Sequence, residues 1–207
     1  MDSRSLAGLV KERISEIDSK EIFSIGNFSD LGRDDIVTKT LYRMEKGGDI
    51  VRVARGLYMK PIQTQFGILK STLSEIAKAI AEKNHEEIIP TGSMALNILG
   101  FSTQVPMNAV YLTNGSARTL KIEKRKIIFK KGTPKYFSYK SEFLRFIVLA
   151  YKELGKDGIT SDIIDKTTEL IHNKNEDKDL LLADTSLAPV WIKNILIPII
   201  KTKRSDI

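Results

Sequence analysis

The 207-residue chain has no cysteine and only two histidines, His85 and His172. The first absence excludes disulfides, thiolate zinc sites, iron–sulfur clusters and cysteine nucleophiles together. The second argues against any multi-histidine metal site within one chain, so neither a metal nor another cofactor is expected. Long apolar runs are missing too. The most apolar segment, Leu187 to Ile200, is interrupted by Lys193, Asn194 and two prolines, and is too short to span a bilayer. The opening MDSRSLAGLVKERISEID lacks the continuous apolar stretch of a signal peptide. A cytoplasmic protein with no membrane partner is expected.

What is present is ordinary for a folded chain: 42% hydrophobic and 29% charged residues. The length allows one or two domains. Formal net charge is +7, from 33 basic and 26 acidic side chains. The excess is local. Residues 121–145 hold nine basic and two acidic groups, whereas residues 1–62 hold 11 and 10. Within the first part, residues 33–60 still carry seven basic against four acidic groups. A concentrated positive field fits a polyanionic partner; it also fits a merely solvated basic surface.

The order of elements at the N-terminus is informative. Ser3 or Ser5 can cap a helix whose apolar face is Leu6, Val10, Ile14 and Ile17. A short helical piece follows over Asn27–Leu31, and Gly32 marks a sharp turn. RDDIVTKTLYRMEKGG reads as a second helix, with Ile36, Val37, Leu41 and Met44 inward and Gly47-Gly48 ending it. A hairpin over Ile50–Val53 and Leu57–Lys60 turns at Ala54-Arg55-Gly56. Helix, short helix, turn, helix and hairpin make a winged helix-turn-helix over residues 1–62. Such a unit lays one helix in the major groove and its hairpin along the neighbouring backbone. The helix would present Arg33, Thr38, Lys39, Tyr42 and Arg43, and the wing Arg52, Arg55 and Lys60. Winged helices also serve as protein-interaction modules, and Asp34 and Asp35 oppose close phosphate contact unless they serve the helix end.

Residues 62–75 read as a linker region, and residues 66–207 as a mixed α/β domain ending in helices, so the fold class is α+β. The helix SEIAKAIAEKN opens this domain, and Phe143–Leu154, Asp162–His172 and Ala188–Ile200 read as its later helices. The last is apolar nearly all round and should be buried; NKNEDKD at 173–179 should be a solvated loop. Gly92-Ser93 follows a strand and opens a helix, an arrangement that either cradles phosphate or simply packs tightly. The same arrangement begins the nucleotidyltransferase fold, whose metal-holding acids sit on a downstream strand. Here that strand is Met107-Asn108-Ala109-Val110-Tyr111-Leu112, and no Asp or Glu occurs between Glu87 and Glu123. No catalytic residue is therefore assigned. His85 and His172 read as solvated helix ends, and Trp191 as core. Phe129, Tyr136, Phe137 and Tyr139 interleave with the basic run, which suits base stacking or, for Phe129, a half-buried strand. The run itself places Lys121, Lys124, Arg125, Lys126, Lys130, Lys131 and Lys135 together as a second basic patch for DNA, RNA or an acidic protein.

ARGLYMKP, then PTGSMALNILGFSTQVP, then VYLTNGSARTLKI and KIIFKKGTP, in this order over residues 20–137, resemble the AbiEi-type antitoxin family. The resemblance implies a phage-defence antitoxin of a type IV toxin–antitoxin system. Its N-terminal winged helix would bind inverted repeats in double-stranded operator DNA and repress its own operon. Its second domain would counter a cognate nucleotidyltransferase-type toxin, with direct contact not required. Carried over, the resemblance supports Arg33, Thr38, Lys39, Arg43, Arg52 and Arg55 as operator contacts. A stand-alone transcriptional regulator and an unusual nucleotidyltransferase-fold enzyme are the alternatives.

Overall fold

The computed structural model describes residues 5–202; Ser3, one of the two capping candidates, lies outside them. The chain is a mixed α+β protein that divides into two compact units, Met1–Glu86 with Lys121–Lys126, and Glu87–Leu120 with Ile127–Ile207. The division falls after Glu86, not within the expected linker. Among the described residues, no helix is long and apolar enough to cross a membrane.

The first unit opens with α1 (Leu6–Glu16), capped by the Ser5 side chain accepting from the Gly8 N–H. A two-residue strand, β1 (Phe23–Ser24), leads into a 3-10 helix, Ile25–Leu31. Ser24 and Asn27 cap that helix reciprocally, and Gly32 leaves it with φ 75°. Helix α2 (Asp34–Gly47) ends at Gly48, φ 81°, a conformation that favours glycine. Strands β2 (Val51–Ala54) and β3 (Leu57–Met59) form the hairpin. β1 pairs with the free edge of β3, giving a three-stranded antiparallel sheet in the order β1-β3-β2. A two-residue strand is too short for periodicity to reveal, so β1 was legible only as apolar anchors. The expected linker instead holds a small hairpin, β4 (Gln63–Thr64) and β5 (Gly67–Ile68). It is followed by α3 (Leu73–Lys83), which belongs to the first unit.

Val10, Ile14, Phe23, Phe28, Val37, Leu41, Met44 and Ile50 form one core in this unit. Phe28 and Val37 are fully buried, each contributing about 1.5–3 kcal/mol relative to exposure. Arg13 clamps α1 to the 3-10 helix. Its Nη1 and Nη2 donate to the two carboxylate oxygens of Asp30 at 2.6 and 2.8 Å, and Nη1 also to the Asn27 carbonyl at 3.2 Å.

The second unit contains β6 (Ile88–Pro90), α4 (Gly92–Ile98), β7 (Ala109–Thr113), β8 (Arg118–Ile122) and β9 (Arg125–Lys131). Helices α5 (Pro134–Phe137), α6 (Glu142–Leu154), α7 (Ser161–Lys174), α8 (Lys178–Thr185) and α9 (Val190–Lys201) follow. The sheet order is β6-β7-β9-β8; β6 is antiparallel to β7, and β7 is parallel to β9. Helix α6 is the centre, burying Leu144, Ile147, Val148, Leu149, Ala150 and Tyr151. Its start is held by buried Asp184, which accepts from the Lys140 and Ser141 N–H groups, both at 2.7 Å.

Two expectations fail here. The 173–179 loop shrinks, because α7 runs to Lys174 and Asp177 caps α8, accepting from the Asp179 N–H at 2.9 Å. Charged residues there hid two helix ends. Helix α9 is not buried all round: Ile192, Leu196, Ile199 and Ile200 face the core, but Val190 is 71% exposed and Trp191 only partly buried.

A Cβ on Gly92 would lie 2.6 Å from the Glu153 Cβ and 2.8 Å from the Leu149 carbonyl oxygen. Gly92→Ala should therefore cost about 1–3 kcal/mol in urea denaturation, against about 0.5 kcal/mol or less for Ser93→Ala. The Arg13 hydrogen bond holds the Asp30 carboxyl below its ordinary range. A folded-state value lower than the unfolded one means stability that is complete above the unfolded value and lost as pH falls through the folded one. The stability advantage of wild type over Asp30→Asn should thus be present above about pH 4 and shrink on further acidification, which denaturation midpoints across that range would measure.

Candidate nucleic-acid interface

The buried stripe of α2, Val37, Thr40, Leu41 and Met44, determines what its other face offers to solvent. Thr40 satisfies its hydroxyl within the helix, donating to the Ile36 carbonyl at 2.8 Å. The exposed residues are Thr38, Lys39, Tyr42, Arg43 and Lys46, with Arg33 at the N-cap. Spacings of three and four residues put 38, 39, 42, 43 and 46 along one face. Tyr42 is 58% exposed, and the Lys46 ammonium lies 5.8 Å from its ring centroid. All five expected helix residues are thus on the open side.

Arg33 is not a free cation. Its Nε donates to Asp35 Oδ1 at 3.0 Å and its Nη2 to Asp35 Oδ2 at 3.2 Å. The same hydrogen bonds raise the arginine and lower the carboxyl from their ordinary values. Both side chains remain in water, 64% and 52% exposed. Sequence reading placed Asp35 as a dipole-compensating acid but missed the pair; an Arg two residues before an Asp at a helix start was the available signal.

The hairpin exposes Arg52 on β2 and Arg55 in the β2–β3 turn, with Gly56 at φ 70°. Arg52 Nε makes a long contact to the Ala54 carbonyl, 3.4 Å. Lys60 differs from these: it is half-buried, and its ammonium donates to the Ser15 carbonyl at 2.9 Å near the end of α1. Its charge is committed to holding α1 against the hairpin end.

The expected second patch is divided. Lys121, Lys124, Arg125 and Lys126 form the β8–β9 tip, which groups with the first unit; Lys130, Lys131 and Lys135 belong to the second. All seven are exposed. Glu123 makes the tip turn with φ 52° and pairs with Lys70 at 2.6 Å. Lys131 ties down the β7–β8 turn, donating to the Asn114 and Gly115 carbonyls at 2.6 and 3.0 Å.

The aromatics near this run are not a stacking platform. Phe129 is 1% exposed, under the Arg118 guanidinium at 4.3 Å and beside Tyr111. Tyr136 and Phe137 pack partly buried on the core, and Tyr139 is buried. Burial pushes the Tyr139 hydroxyl up to about 12, and that hydroxyl has no hydrogen-bond partner among the described residues. Gly92 is the seat of helix packing described above. The 380 Å³ cavity beside it is lined by Thr91, Ser93, Lys130 and Glu153, with Lys152 hydrogen-bonded to the Tyr136 hydroxyl. β7 carries no acid, and among the described residues no three His, Asp or Glu side chains gather as metal ligands. His85 is exposed as expected; His172 is only half-exposed, with Nε2 buried and unpartnered.

No curated protein matches this chain. The family of unknown function DUF6088 matches it over residues 9–180, most of its length, and the chain belongs to that family.

Proposed function

We propose that residues 1–62, within the first unit, form a winged helix-turn-helix that binds double-stranded operator DNA and represses its own operon, with α2 as recognition helix and the β2–β3 hairpin as wing. The observation that carries this reading is the exposed face of α2. It presents Arg33, Thr38, Lys39, Tyr42 and Arg43 from one rigid element, opposite a stripe that is buried. A helix seated in the major groove reads bases mainly with its N-terminal residues, while Lys and Thr further along hold phosphates. Arg52 on β2 and Arg55 at the hairpin turn suit an adjacent backbone or minor groove.

The second unit is proposed as the antitoxin part of a type IV system, countering a nucleotidyltransferase-type toxin in the cytoplasm rather than acting as an enzyme. Two features support this. The strand in the position of the metal-holding strand, β7, reads Ala-Val-Tyr-Leu-Thr. The lack of a side chain at Gly92 is accounted for by the close approach of α6, at Glu153 and Leu149.

Gel shifts with the full chain on the DNA upstream of its own reading frame test the proposal. The double variant Arg33→Ala/Lys39→Ala should lose about tenfold or more in affinity and show a salt slope shallower by about one. Unchanged operator affinity would refute DNA readout by α2. Charge reversal at Lys121 and Lys124, which group with the first unit, should weaken binding to every duplex. Reversal at Lys130 and Lys135 should leave repression intact; loss of toxin neutralisation in that variant would assign those lysines to the toxin.

A further inference from the structure

We propose that Asp35 is a specificity-determining positioning residue that holds the Arg33 guanidinium for bidentate reading of a guanine. This inference rests on the DNA-binding reading of α2.

The geometry of the pair carries it. A guanidinium has five N–H donors on two usable edges. Asp35 takes the side edge, through Nε at 3.0 Å and Nη2 at 3.2 Å. The second Nη1 hydrogen points back toward the side-chain stem, and the end edge keeps one Nη1 hydrogen and the other Nη2 hydrogen. Those point as a parallel fork, the arrangement that matches O6 and N7 of guanine in the major groove. The carboxylate therefore leaves intact the donors that read a base and fixes the plane in which they lie.

Three further facts favour this role over a stabilising one. The pair is exposed on both sides, so in water it adds little to folding stability. Arg33 is the N-cap of α2, the end by which recognition helices in general reach base edges. The Arg33 side chain provides no cap to the helix, so it is not otherwise occupied there. A carboxylate at this place would repel phosphates. It is compatible with an arginine aimed at a base and unfavourable beside one aimed at the backbone. An arginine held in one orientation also loses less side-chain freedom on binding.

Selection from a randomised duplex library, using the full chain, tests the inference. Wild type should enrich one guanine in each half-site. Arg33→Ala and Asp35→Ala should both lose at least about fivefold in preference for that guanine. Asp34→Ala removes an acid from the same helical turn without touching Arg33, and should keep the preference. Circular dichroism and thermal melting confirm that each variant is folded. If Asp35→Ala keeps the guanine, or binds all sequences more tightly and equally, the carboxylate only repels DNA and the inference is overturned. If wild type selects no sequence and binds no duplex, the DNA-binding reading fails with it. If wild type selects a site that Arg33→Ala leaves unchanged, DNA binding stands and only the role of this pair is lost.

Discussion

Val37, Leu41 and Met44 leave water only if α2 turns that stripe against Val10, Ile14, Phe23 and Phe28. A helix has one rotational setting that satisfies this burial, and that setting aims Thr38, Lys39, Tyr42 and Arg43 outward. The core therefore does more than stabilise the first unit. It decides which side chains face solvent and holds them on a rigid element. The Arg13–Asp30 fork acts on the same problem from the other end, because it fixes the 3-10 helix from which α2 departs at Gly32. Lys60 contributes a third tie, from the end of the hairpin to α1. A cation counted at first as a surface group is thus part of the frame.

The second unit solves a different constraint. Its central helix α6 is buried over most of its circumference, so its neighbours must come close and its polar ends must find partners inside the unit. Gly92 permits the approach of α4, and Asp184 supplies acceptors for the first N–H groups. Ser141 caps α6 and also donates to Glu176 at 2.5 Å, linking the helix start to the α7–α8 connection. The glycine that by sequence pattern resembles part of a phosphate site is required by this packing. A Gly-Ser at a helix start marks close backbone approach whichever partner approaches, and only the surroundings say which one it is.

The legible parts of this chain are those where period and burial coincide. α2, α6 and α7 follow from apolar spacing, and the exposed face of α2 follows by subtraction. What was not legible depends on contacts between distant residues or on a choice among side-chain conformers. Lys60 meets the Ser15 carbonyl across 45 positions, and Lys131 meets Asn114 across 17, so no local pattern marks either lysine as occupied. The short β1 has too few residues to show alternation and exists because β3 offers it a free edge. The basic run 121–135 reads as one cluster in sequence, yet its tip groups with one unit and its base with the other. Apolar content alone misjudged α9, since a helix at the surface of a unit can be rich in Ile and still expose Val190.

The charge distribution bears on what kind of nucleic-acid reader the first unit can be. Its helix face carries Lys39, Arg43 and Lys46, with Arg33 at the N-cap, but Asp34 and Asp35 sit in the first turn, the end that the proposed binding mode would bring to the groove. One arginine is already paired, and the Lys60 ammonium is spent on α1. On the helix face itself Lys39, Arg43 and Lys46 remain to displace counterions, so the phosphate neutralisation that α2 alone can supply is limited. A surface poor in net charge but precise in donor placement gains more from correct bases than from any duplex, since mismatches leave an oriented arginine without acceptors. The carboxylates at the start of α2 are then consistent with the proposed function: in that reading they would reduce binding to arbitrary DNA while one of them would orient the donor that distinguishes the right sequence.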